Sequence, residues 1–173
     1  MSSPNTIEEA WRSYQTTVEC LAIVARMARG NDVHALQRTS FFGAHIDEAS
    51  DRISASASNA DDYVILSMWA LFERHLFLFL QDESKRMLNQ GASRLTKELQ
   101  IKIEDELEYW RLDGVLDLFK SIVDPQLIGE AKQVKQYRDF IAHRNPKKPP
   151  RTNVSPQAAY QVLSNIINRL ESH

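Results

Sequence analysis

The chain has 173 residues, 43% hydrophobic and 25% charged, a balance that fits one folded core and excludes a disordered chain. A single cysteine excludes an intrachain disulfide and a cysteine-rich zinc site. The formal net charge of −2 gives the whole molecule no nucleic-acid footprint, so any anion-binding region has to be local.

In chain order, a first helix is expected from Thr6, with Glu9 completing a capping box. Ile7, Trp11, Tyr14, Val18, Leu21, Ala25 and Ala28 recur at helical spacing. The stripe thins to alanine, so a neighbouring element can approach closely at that end. Cys20 reads as a small buried apolar residue, with a reactive thiol as the alternative. Gly30-Asn31-Asp32 is a helix stop. Residues 32–58 read as one or two helices, Val33 to Arg38 and Ala44 to Arg52, with Ser54 to Asn59 as a loop or weak helix. A long helix is expected from Asp61 to Leu88. Its run from Val64 to Leu80 is very apolar, but Glu73, Arg74 and His75 interrupt it. It therefore reads as a central buried helix, not a membrane span.

Ser93 to Arg111 is the next helix, broken at Asp113-Gly114, and Val115 to Ile122 is a short one. Asp124-Pro125 opens a helix that runs to Arg144. Lys147-Lys148-Pro149-Pro150-Arg151 cannot continue it. Ser155-Pro156 starts the last helix, with Ala159, Val162, Leu163, Ile166, Ile167 and Leu170 as its buried face. No strand-like alternation or internal repeat occurs. The expectation is an all-α, single-domain helical bundle of about five to seven helices spanning residues 1–173. The start of the chain has no basic segment followed by an apolar run, so a cytoplasmic protein without a membrane partner is expected.

Residues 131–151 hold seven basic side chains against one acidic residue, Asp139, in a chain that is acidic overall. Such asymmetry fits an anionic partner at that end, and equally a solvated helix end followed by a loop. On a helical wheel, Val134, Tyr137, Phe140 and Ile141 form the apolar stripe. Arg138 flanks the stripe, while Asp139 and His143 stack one turn apart on another face. His143 is thus off the core face. Arg138 and His143 diverge by about 140° around the axis at ~100° per residue. They meet on one atom only if the helix unwinds before Pro146, or if a two-fold dimer pools two arginines and two histidines. The chemistry is that of phosphodiester cleavage. A histidine gives and takes a proton near neutrality, and a permanently charged, fork-shaped guanidinium fits a phosphate or its phosphorane-like transition state.

Arg138-Asp139-x-x-Ala142-His143, with Asn145-Pro146 just after, resembles the signature of the HEPN superfamily: an Arg, four to six residues, then a His, usually with Asn, Asp or His directly after the Arg. The motif lies on the penultimate helix, as in that family, and Phe72-Glu73-Arg74 in an earlier apolar helix is similar too. Helix order resembles the family over most of the chain, while specific residues match only near 69–80 and 137–146. The resemblance implies a metal-independent endoribonuclease with no cofactor. In such enzymes the ribose 2′-hydroxyl attacks the adjacent phosphate and leaves a 2′,3′-cyclic phosphate. His143 would move the proton and Arg138 would stabilise the phosphate. The resemblance further implies a homodimer with the motif at its interface, a toxin or defence role, and an antitoxin protein as candidate partner. Some members instead serve as non-catalytic modules that bind RNA or a partner protein. One subgroup carries Tyr two residues after the His, where this chain has Asn145.

The candidate catalytic residues are therefore Arg138, His143 and Asp139. Asp139 either orients His143 or forms a surface pair one turn away. Asn145 either touches substrate or caps the helix before Pro146. Glu73, set among Trp69, Phe72, Leu76 and Phe77, needs a partner, either Arg138 or an unrelated base. Arg144, Lys147, Lys148 and Arg151 are candidate RNA phosphate contacts, or a charged loop without function. His75, Trp69 and the neighbouring phenylalanines read as packing residues. No glycine-rich phosphate loop and no metal-ligand spacing occur in the sequence.

Overall fold

A computed structural model describes residues 6–30, 32–89, 93–106, 109–143 and 152–172. Among these the chain is all helical, with seven α-helices and no strand. They are α1 (Thr6–Arg29), α2 (Val33–Leu36), α3 (Ile46–Asn89), α4 (Arg94–Glu106), α5 (Leu112–Leu118), α6 (Pro125–His143) and α7 (Pro156–Glu171), with a 3-10 turn at Phe119–Ser121 after α5.

The 44-residue α3 organises the fold. At 1.5 Å per residue it is about 66 Å long, far longer than the bundle around its C-terminal half. That half carries Val64, Ile65, Met68, Trp69, Phe72 and Leu76 into the core, all 5% exposed or less. There they meet Ile7 of α1, Leu116 of α5, Ile128 and Val134 of α6, and Leu163 and Ile167 of α7. By length and composition α3 is the one described helix apolar enough to cross a membrane. The six side chains just named are covered by the surrounding helices instead.

The N-terminal part of α3 packs against α1, with Phe41 and Ala44 of the preceding segment beside it. Ala28 lies against Ala49 and Ile53, with Leu21, Val24 and Ala25 alongside. The alanines at the end of the α1 stripe therefore do admit a close neighbour, and that neighbour is α3. Residues 54–59, a loop or weak helix by sequence, belong to continuous helix. Serine and asparagine are poor helix formers by only a few tenths of a kcal/mol each, and packing of Ala49 and Ile53 just before the run against α1 outweighs that. Cys20 is exposed, contrary to its expected burial. It sits about 100° around α1 from Leu21, outside the arc that faces α3.

Two other boundaries shift. Asp113-Gly114 does not break a helix but lies in the first turn of α5. Leu112, Val115 and Leu116 bury together there, which outweighs the ~1 kcal/mol helix cost of one glycine. The preceding helix is described to Glu106, and residues 109–111 are no longer α-helical. The starts of α6 and α7 follow local chemistry. The Asp124 carboxylate accepts the Gln126 N–H at 2.8 Å ahead of Pro125, and the Ser155 hydroxyl accepts the Ala158 N–H at 3.2 Å with Pro156 in the first turn.

Candidate functional site

Helix α6 lies on α3, α5 and α7, with Ile128, Ala131, Val134 and Ile141 buried. Val134 and Ile141 belong to the apolar stripe, while Tyr137 and Phe140 pack at the core edge. This seating turns Arg138 toward α3. Its Nη2 donates to Glu73 Oε2 at 3.4 Å, and its Nη1 lies 3.0 Å from Asp139 Oδ1. The guanidinium also stacks over Trp69, with its carbon 5.5 Å from the ring centroid. Arg138 is 24% exposed and Glu73 32%, so the pair is largely withdrawn from water. Glu73 thus has Arg138 as its base, across 65 positions of sequence.

Asp139 does not engage His143 among the described residues. Its Oδ2 accepts Lys135 Nζ at 3.1 Å, and its other oxygen faces Arg138. Both oxygens are held by permanent cations, which outcompete a solvated imidazole one turn on. His143 is the last residue of α6 and is exposed, with no hydrogen bond or ion pair among the described residues. Asn145, Arg144, Lys147, Lys148 and Arg151 lie outside the described residues, so the expected RNA-contact residues have no structural account here.

The described part of the basic segment is not a free cationic patch. Lys132 pairs with Asp117 at 2.8 Å, which also binds Lys120 at 2.7 Å. Hydrogen bonds from these two lysines hold the Asp117 carboxyl below its ordinary range. Lys135 reaches Asp113 at 3.5 Å as well as Asp139. Lys132, Lys135 and Arg138 therefore all face carboxylates from α3, α5 or α6. The sequence count missed this because, apart from Asp139, the acids lie on other elements.

Two further acids were not singled out by sequence. Adjacent Asp61 and Asp62 on α3 each accept a tyrosine hydroxyl. Tyr14 of α1 donates to Asp61 at 2.6 Å, and Tyr137 of α6 to Asp62 at 3.4 Å. Burial, and then the Asp61 hydrogen bond and charge, push the Tyr14 hydroxyl up to about 12. His75, also on α3, is half-buried, and burial lowers its pKa against an opposing pull from Glu171.

A groove of about 670 Å³ runs beside Tyr137, lined by Asp61, Glu130, Gln133, Asn153 and Ser155 among others. A second, of about 880 Å³, lies between the start of α6 and the end of α7. Neither Arg138 nor His143 lines either groove. Among the described residues, no group of three or more His, Cys, Asp or Glu side chains is arranged to hold a metal ion.

No protein-family model matches the chain, and no curated protein or solved structure shows significant similarity to it.

Proposed function

We propose that this protein is a HEPN-type, metal-independent endoribonuclease, a cytoplasmic toxin or defence effector that acts as a homodimer. The observation that carries the reading is the division of labour along α6. Arg138 is held by Glu73 and Trp69 of α3 and by Asp139 beside it, while His143 is exposed at the helix end with no hydrogen bond or ion pair among the described residues. A fixed cation with a free acid–base group is the pair that cleavage requires. Neither residue lines the grooves described within one chain, which supports a site completed by the α6 of a second copy.

In the proposed step, His143 takes the proton from a ribose 2′-hydroxyl. The oxygen attacks the adjacent phosphorus, Arg138 offsets the charge gathering on the phosphoryl oxygens, and the 5′-oxygen departs with the proton that His143 took up. The products are a 2′,3′-cyclic phosphate and a 5′-hydroxyl. An antitoxin protein remains a candidate partner on the strength of the motif alone.

One observation favours a second reading. Arg138 is already engaged by two carboxylates, and Lys132 and Lys135 are paired as well. A non-catalytic HEPN-like module that binds RNA or a partner protein is consistent with that. Labelled RNA incubated with the purified protein, with and without a chelator, separates the two. The enzyme reading expects chelator-resistant cleavage to cyclic-phosphate ends and a loss of at least ~10²-fold in His143→Ala. Wild-type cleavage by that variant, or salt-sensitive binding with no cleavage, would refute it.

A further inference from the structure

Charges on the two sides of α6 are treated differently. Toward α5, Lys132 meets Asp117 at 2.8 Å and Lys135 meets Asp113 at 3.5 Å. Toward α7, the carboxylates of Asp124, Glu130 and Asp61 have no ion pair among the described residues. Their hydrogen-bond donors are uncharged. Asp124 and Glu130 accept from Gln126, at 2.8 and 3.2 Å, and Asp61 accepts from the Tyr14 hydroxyl.

These three acids line the two grooves beside α6. Glu130 lines both, so the grooves meet there and form one trough along α6 and α7. From the level of Asp124 to that of Tyr137 the trough follows α6 for about 20 Å, at 1.5 Å per residue. Its apolar floor includes Leu127 and Val162, both half-buried, and Val134, which is buried. The side-chain amides of Gln126, Gln133, Asn165 and Asn168 edge it and are exposed. Among the described lining residues Arg169 is the one base, against three acids.

That combination selects an occupant. Carboxylates without counter-charges repel a nucleic-acid backbone and attract cationic side chains. An apolar floor between two helices takes a third helix lying along it. An extended segment finds no strand edge to pair with among the described residues, whereas a helix satisfies its own backbone. We propose that the α6–α7 trough docks a basic amphipathic helix of a partner protein. The apolar stripe of that helix lies on Leu127, Val134 and Val162, and its lysines or arginines meet Asp124, Glu130 and Asp61. The proposal does not rest on RNA cleavage, since neither Arg138 nor His143 lines the trough.

The test uses the full-length, ¹⁵N-labelled protein and a synthetic helical peptide of about 16 residues, roughly 24 Å long. Leucines occupy one face of the peptide at helical spacing and lysines flank them. A control peptide carries glutamate in place of every lysine. The side-chain amide signals of Gln126, Gln133, Asn165 and Asn168 are expected to shift together and saturably with the basic peptide and to stay still with the acidic one. Glu130→Lys, a surface change at the junction of the two grooves, is expected to weaken binding at least about tenfold, the scale of one charge-assisted hydrogen bond. Raising salt is expected to weaken it as well. The wild-type titration needs no variant to fold. Shifts centred elsewhere, such as the acidic first turn of α3 at Asp47 and Glu48, would overturn the proposal. So would equal binding of both peptides, or undiminished binding by Glu130→Lys, since charge would then not select the occupant. The same four amides shifting with protein concentration alone would assign the trough to a second copy of this chain, and their shifting with RNA would assign it to nucleic acid. Either result would refute the proposal.

Discussion

Replacing Tyr14 by Phe removes one hydroxyl and its 2.6 Å bond to Asp61, which ties α1 to the helix that carries Glu73 and Trp69. A hydrogen bond to a charged acceptor that is partly open to solvent contributes about 1–1.5 kcal/mol. The Tyr14 hydroxyl is pushed up to about 12 from an ordinary 10.0, by burial first and then by the Asp61 bond and charge, so the folded protein holds that proton more tightly than the unfolded chain. A folded-state pKa above the unfolded value stabilises at every pH below the unfolded value and is lost as pH climbs toward the folded one. The gap between wild type and Tyr14→Phe should therefore be constant from about pH 7 to 9. It should then narrow, with roughly half gone by about pH 11, midway between the two titrations. Urea denaturation at fixed pH steps measures it, and the other tyrosines and lysines cancel in the difference. A gap below about 0.3 kcal/mol at pH 7, or one that widens toward pH 11, would refute the reasoning.

His75 binds its proton more weakly in the folded protein than the ordinary 6.5 because burial outweighs Glu171. The unfolded chain therefore takes up the proton first, and stability should fall as pH drops below about 6.5. His75→Leu should flatten that fall in urea melts between pH 7 and 5. Arg138→Ala leaves Glu73 and Asp139 facing each other without their shared cation. It should cost about 1–2 kcal/mol, discounted for the partial exposure of all three groups. His143→Ala, at an exposed helix end, should stay within about 0.5 kcal/mol of wild type in the same melts.

The parts of the fold legible in the sequence are those whose cause is local. Asp124-Pro125 and Ser155-Pro156 announce their helices because cap and φ restriction act within three residues. The buried face of α7 is readable because Ala159, Leu163, Ile166, Ile167 and Leu170 repeat at helical period and all end in the core. The continuity of α3 through residues 54–59 is not readable, since nothing in that run is strongly helical and the stabilising contacts come from α1. The candidate site divides in the same way. The position of Arg138 and His143 on one helix follows from short-range pattern. What Arg138 touches does not, because Glu73 and Trp69 are more than 60 residues away. A carboxylate inside an apolar run was the one signal that a cation had to arrive there. Nothing comparable marked Asp113 and Asp117 as partners of Lys135 and Lys132, so counting charges along residues 131–151 overstated the positive field.

The composite-site reading can be separated from a site within one chain by mixing inactive variants. Arg138→Ala retains His143, and His143→Ala retains Arg138. Suppose each active site takes its arginine from one chain and its histidine from the other. A mixed dimer then has one site with both residues and one with neither. Random re-pairing of equal amounts makes about half of all dimers mixed, each with one of its two sites intact, so cleavage should recover to about a quarter of wild type. If both residues must come from the same chain, no pairing restores them, and the mixture stays at the level of the separate variants. If all four side chains are needed at once, the mixture is equally silent. A wild-type chain paired with His143→Ala then resolves the matter. The two-site dimer keeps about half its activity, the four-residue dimer loses all of it, and chains that act alone keep half without regard to concentration. The ~140° between Arg138 and His143 on a straight helix favours the first outcome. A mixture that recovers nothing, beside wild-type activity independent of protein concentration, would overturn the dimeric site.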